Sequence, residues 1–213
     1  MRCVVKKLNL LLCVPALLLT TGVMHADTVF SENFDETTAQ LDVTKAGAFS
    51  AVNGTNVDIV GPADGFGYLC RGPESGNCVD MGGTGGNSAG NLNLTTTLNL
   101  AAGSYLLNFD LIGSDRGVSS TTEVIIKSPT QTFYDQTFTL ASDDLTSGVV
   151  TNALFNVTSD PVQLEFIDLG PNNNIGALLD NISVTTTPEP SSLALLGTGL
   201  LGACGVLRRR LKA

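Results

Sequence analysis

Few kinds of side chain in this chain can do chemistry. Of its 213 residues one is His, five are Cys, none is Trp, and twenty are Asp or Glu. A Ser-His-Asp or Cys-His nucleophile needs an imidazole base, and typical catalytic zinc or iron sites need His ligands. His25 stands alone, in a segment read below as lost on export, so those reaction classes are excluded. Paired carboxylates stay open, because glycoside hydrolysis needs only two Asp or Glu at the right separation, but nothing in the spacing selects a pair. GGTGGNSAG, residues 82–90, lacks the Gly-Lys-Ser/Thr ending of a phosphate loop and no helical pattern follows it, so it reads as a flexible loop.

Two Cys remain between the chain's apolar ends. Cys70 and Cys78 close CRGPESGNC, with Pro73 and Gly76 to turn it, and in an oxidising compartment such an isolated pair favours a disulfide. Reduced thiols or a metal site are the alternative, and a two-sulfur zinc site would need two further ligands. Asp110, Asp115 and Arg116, at the end of the clearest strand, form a candidate ligand rim, with a plain charged turn as the competing reading. Sugar sites commonly stack a ring on Trp or Tyr, and here only Tyr68, Tyr105 and Tyr134 are offered, Tyr105 on a core-facing position.

The elements that position these groups are strands. In GSYLLNFDLIGS, Tyr105, Leu107, Phe109 and Leu111 fall on one face and Leu106, Asn108 and Asp110 on the other, the period of two of a strand over a core. NLNLTTTLNL alternates as well, and the AAG between them predicts an antiparallel hairpin. TVFSENF, FSAV, NVDIV, TEVIIKS, QTFYDQTFTL, VTNALFNVT, PVQLEFIDL and GALLDNISVTT are further candidates, several of them separated by turn signals such as Asp64-Gly65 and Ser147-Gly148. About ten short strands with no helical period predict an all-β, antiparallel two-sheet sandwich, a jelly roll, over residues 27–184.

Charge divides the chain differently. Residues 27–187 hold four basic and nineteen acidic side chains, a net of −15, whereas the remaining basic residues sit at the two ends. Such a body is repelled by nucleic acid and anionic lipid. At the front, MRCVVKK and then LNLLLCVPALLL have the basic and apolar regions of an export signal, expected to be cut after Ala26, with Gly22 as the alternative, so residues 1–26 leave the mature protein.

The other end, residues 185–213, holds Pro188-Glu189-Pro190, then fifteen uncharged residues from Leu193 to Leu207, then Arg208, Arg209 and Arg210. Prolines 188 and 190 fix an extended peptide. The apolar run makes about 22 Å of helix, a marginal span of the hydrocarbon core, and the arginines hold its end on the cytoplasmic side. The order of these three elements resembles the PEP-CTERM sorting signal of exported bacterial proteins. That resemblance implies a transient inner-membrane anchor, recognised and cut near Pro188–Pro190 by a membrane enzyme called exosortase. It further implies a bacterium with an outer membrane that makes exopolysaccharide, and a final place at the cell surface or in a biofilm matrix.

The body carries a second resemblance. LNLAAGSYLLNFDLIGSDRG and IGALLDNISV resemble segments of jelly-roll modules that accompany such tails, and the ending is similar to the last strand of galactose-binding-like carbohydrate-binding domains. By that resemblance a structural Ca²⁺ would tie Glu32 of the first strand to Asp180 of the last; no other cofactor is required. Together the readings give a non-catalytic structural or interaction protein associated with exopolysaccharide, with a carbohydrate-binding module as second choice and a carboxylate-dependent glycoside hydrolase as a remote third.

Overall fold

A computed structural model describes residues 26–72, 76–85, 89–94, 97–158 and 161–187, together with Gly197, Gly199 and Gly202. The expected export signal, Pro188–Pro190 and Arg208–Arg210 lie outside the described residues. Thirteen strands follow in order: β1 (Thr28–Glu32), β2 (Gln40–Val43), β3 (Lys45–Ala46), β4 (Phe49–Ala51), β5 (Val57–Val60), β6 (Cys78–Asp80), β7 (Asn91–Leu94), β8 (Gly103–Ile112), β9 (Ser120–Lys127), β10 (Thr132–Leu140), β11 (Val150–Val157), β12 (Gln163–Asp168) and β13 (Leu178–Thr186). Among the described residues no helix is long and apolar enough to cross a membrane.

They form two antiparallel sheets. One runs β11-β8-β13-β6-β5-β2, with β1 added to β13, and the other runs β10-β9-β12-β7-β4-β3. From β6 onward the chain steps between the sheets so that β6-β13-β8-β11 faces β7-β12-β9-β10, the connectivity of a jelly roll. Strand periodicity builds the interface. Tyr105, Leu107, Phe109 and Leu111 of β8 are all buried, as are Val124 and Ile126 of β9 and Leu164 and Phe166 of β12. The Phe109 ring meets Phe138 and Phe166 edge-on with centroids 5.5 Å apart, and Phe166 meets Phe49 at 5.8 Å. Such aromatic pairs each add about 0.5–1.5 kcal/mol beyond the area they bury.

The expected hairpin between residues 91–100 and 103–112 does not form. Strand β7 pairs with β12 and β4 in one sheet, and β8 with β11 and β13 in the other. The alternation in NLNLTTTLNL ends as a strand at Leu94; Leu98 and Leu100 are buried beneath the end of the core, Leu98 bridged to Val162, and the chain then crosses to the opposite sheet. Two alternating segments joined by a short turn satisfy the same periodicity whether they pair or sit across the core. Strands β2, β3 and β6 were not expected from the sequence.

Candidate functional site

A charged residue inside an apolar run is costly unless its partners are built in. Asp58 in VDIV and Asp80 in CVD are two such residues, and the register places them opposite each other on β5 and β6. Both point away from the core, yet both are buried, under the loops that hydrogen-bond to them and the described part of residues 61–77, whose Phe66 and Leu69 line the cleft above. Leu69 anchors that cover by packing with Val60, Cys70, Cys78, Ile112 and Leu178. Cys70 and Cys78 are disulfide-bonded, with Cα atoms 5.7 Å apart, as the isolated pair suggested.

The two carboxylates are hydrogen-bonded on every side. Asp58 Oδ1 accepts the N–H of Asp42 at 2.7 Å and of Thr84 at 2.9 Å, and Oδ2 accepts the Thr84 hydroxyl. Asp80 Oδ1 accepts the N–H of Gly82 at 2.9 Å and of Gly176 at 3.0 Å, and Oδ2 pairs with the Arg116 guanidinium. Arg116 also donates through Nη1 to the Asn174 carbonyl at 2.7 Å. A side chain on Gly82 or Gly176 would meet the other glycine's backbone nitrogen, at 2.4 and 2.1 Å respectively, so their loops are pressed back to back around Asp80. Burial raises the Asp80 carboxyl to about 7, against the pull of Arg116 and the two N–H groups, with the charge of Asp58 adding to the rise. All three of its partners are donors, which describes the ionised form.

Above these groups lies an open cleft of about 270 Å³, polar at Asp58, Asp80, Thr84, Arg116 and Asn174 and apolar at Leu41, Val60, Phe66 and Leu69. Leu69 is buried, while Phe66 and Tyr68 stay 38% and 61% exposed with ring centroids 6.4 Å apart. The cleft thus offers aromatic surface at its edge and fixed dipoles at its floor. The hydrogen-bond partners of both carboxylates are protein groups, so the two acids hold the surrounding loops in place beneath the cleft.

The expected ligand rim separates. Arg116 lines the cleft; Asp115, in a turn at φ 54°, pairs instead with Arg71 at 3.2 Å; Asp110 accepts from the Asn181 amide at 2.8 Å, away from the cleft lining. Asp58, Asp80, Thr84, Asn174 and Phe66 were not picked out from the sequence. The legible signal was an acid within each of two short apolar runs. Of the loop 82–90, residues 86–88 lie outside the described residues, and the described part is tied down through Gly82 and Thr84.

Glu32 and Asp180 lie on paired strands, with Glu32 opposite Ile182. Glu32 accepts the N–H of Phe34 at 2.9 Å and of Ala48 at 2.7 Å, and Gly47, at φ +53°, leaves room for its carboxylate. Asp180 is fully buried, and its Oδ1 accepts the Asn181 N–H at 2.7 Å. Carboxylate oxygens are what Ca²⁺ takes, but among the described residues no three His, Cys, Asp or Glu side chains converge.

Residues 186–210 match the PEP-CTERM protein-sorting motif. No curated protein matches the chain. Among solved structures it is similar to the CBM22-1 xylan-binding domain of Paenibacillus barcinonensis Xyn10C, at 14% identity and a TM-score of 0.45, over 75% of this chain and 94% of that one. It is also similar to the K1 cleaved adhesin domain of Lys-gingipain from Porphyromonas gingivalis W83, at 13% identity and a TM-score of 0.46, over 76% and 99%. A third is the exo-beta-1,3-galactanase of Phanerochaete chrysosporium, at 14% identity and a TM-score of 0.38, over 75% of this chain and 29% of that one.

Proposed function

We propose that this protein is exported, held at the inner membrane by its C-terminal tail, and released when an exosortase-type enzyme cuts near Pro188–Pro190, to act outside that membrane as a non-catalytic interaction module of an exopolysaccharide-producing bacterium. The observation that carries this reading is the sorting motif over residues 186–210, which begins at the last residue of β13. The test is intact mass. Surface protein lacks Arg208–Ala213, and replacing Pro188, Glu189 and Pro190 together by Ala traps an uncut form in the membrane. Surface protein that keeps its arginines, or unchanged maturation of the triple variant, overturns it.

The cleft favours a carbohydrate as the bound partner. Phe66 and Tyr68 give a sugar ring apolar faces to lie against, and Arg116, Thr84 and Asn174 give its hydroxyls polar neighbours. A glycan array probed with the exported protein tests this, with Tyr68→Ala and Phe66→Ala each expected to weaken any hit by roughly tenfold. Binding that survives both substitutions places the ligand elsewhere. A structural Ca²⁺ shared by Glu32 and Asp180 belongs to the same reading. Added Ca²⁺ then raises the melting temperature and Asp180→Asn abolishes the increment, whereas indifference to Ca²⁺ and to chelator removes the ion from the account.

A further inference from the structure

The two ends of the folded body meet. The Asp27 N–H donates to the Thr186 hydroxyl at 2.9 Å, and the Thr186 N–H returns to the Asp27 carbonyl at 2.8 Å. One residue on, Thr187 donates its N–H and its hydroxyl to the Ser104 carbonyl, at 3.1 and 3.0 Å. The chain is therefore hydrogen-bonded into the sheet up to the residue before Pro188. Only residues 188–192 separate that point from the apolar run, about 17 Å even at full extension. This is a short leash.

Strand β13 runs from that pole to the other. Its first residue, Leu178, faces Asp80, the hub of the cleft, and its nine residues rise about 30 Å. Charge is spread unevenly along the body. By sequence the terminal-pole connections, 95–102, 128–131 and 158–162, carry one charged residue, Asp160, with Asp27 and Lys127 beside them. The connections at the cleft pole carry Asp115, Arg116, Asp143 and Asp144, and the strand faces between hold most of the remaining acids. A body of net charge −15 is repelled by anionic headgroups, and lying on its side would bring the exposed strand acids, such as Asp42 and Asp135, against them.

We propose that the terminal pole, formed by residues around Asp27, Ser104, Asn156 and Thr187, is the surface that faces the lipid headgroups while the short-leashed tail is inserted, so that the cleft is held away from the membrane and open to ligand before the tail is cut. The proposal rests on the sorting reading. The experiment takes the full-length, uncut chain in phospholipid vesicles containing anionic lipid and an acceptor dye on the headgroups. A fluorescent amino acid replaces Asn156 or Thr158 at one pole, and Tyr68 or Phe66 at the other. Energy transfer to the lipid is expected to be several-fold stronger from residues 156 and 158 than from 66 and 68. Flotation of the vesicles reads tail insertion separately. Chain that floats with the vesicles but transfers equally from both poles, or more from the cleft, overturns this orientation alone. Chain that fails to float overturns the sorting reading and the orientation with it.

Discussion

The sandwich treats its two outer faces in opposite ways. On the six-stranded sheet the outer positions of β9 and β10 meet solvent directly, with Thr121 and Thr139 sharing a hydroxyl contact at 3.2 Å and Glu123 opposite Thr137. On the seven-stranded sheet the outer positions of β5 and β6 are instead buried beneath the hydrogen-bonding loops and the described part of residues 61–77, and there lie Asp58 and Asp80. The same strand geometry yields a soluble surface in one case and a polar site in the other. A third layer makes the difference, because it strips water from the carboxylates and so obliges the backbone and Arg116 to replace it.

The sharpest way to break that contrast is to remove its hub. Asp80→Ala leaves Arg116 and the N–H groups of Gly82 and Gly176 without their acceptor, and should cost about 3–5 kcal/mol in urea unfolding, with the cleft loops losing amide protection first. A loss below about 1 kcal/mol would mean that the buried face is no more committed than the solvated one. Next in size is the cover itself. Opening the disulfide by Cys70→Ala with Cys78→Ala removes a constraint on the unfolded chain of about 2–3 kcal/mol, and should expose the second apolar cluster to dye binding. Unchanged stability in the double variant, or with reductant, would show that Leu69 alone holds the cover.

A smaller effect comes from Asp168, at the end of β12, whose carboxyl burial raises to about 6 while the Gly170 N–H pulls the other way. Its folded value lies above the ordinary 3.8, so the protonated form favours folding. That contribution is complete below pH 3.8 and is lost as pH rises through about 6; Asp80 acts in the same sense up to about 7. The melting temperature should therefore fall by a few degrees between pH 5 and pH 8, and Asp168→Asn should flatten part of the fall; a variant that keeps the whole slope refutes the assignment. The smallest effect belongs to the solvated face: Thr121→Ala should change stability by less than about 0.5 kcal/mol, and a larger loss would mean that this face too carries hidden structure.

Legibility followed the same division. Strands β8 and β9 announce themselves because one face is buried and the other is less so, and their residues alternate. Strand β5, buried at all four positions, is legible only as the apolar run NVDIV with no face assigned, and β6, three buried residues, is too short to read at all. The site sits on those two strands. The disulfide was readable because only two Cys remain in the body, whereas the Arg116–Asp80 pair joins residues 36 apart in sequence through a topology that periodicity does not encode. For the same reason NLNLTTTLNL and GSYLLNFDLIGS were assigned to one hairpin although they belong to opposite sheets.

The paired glycines have a consequence for engineering. Gly82 and Gly176 bring two loops into backbone contact, and the one carboxylate of Asp80 fastens both loops and, through Arg116, a third. None of the three can be lengthened, swapped or randomised by itself without misplacing the other two. A library aimed at giving this scaffold a new specificity should hold Gly82, Asp80, Arg116 and Gly176 constant and draw its diversity from Leu41, Phe66 and Tyr68, whose side chains reach solvent.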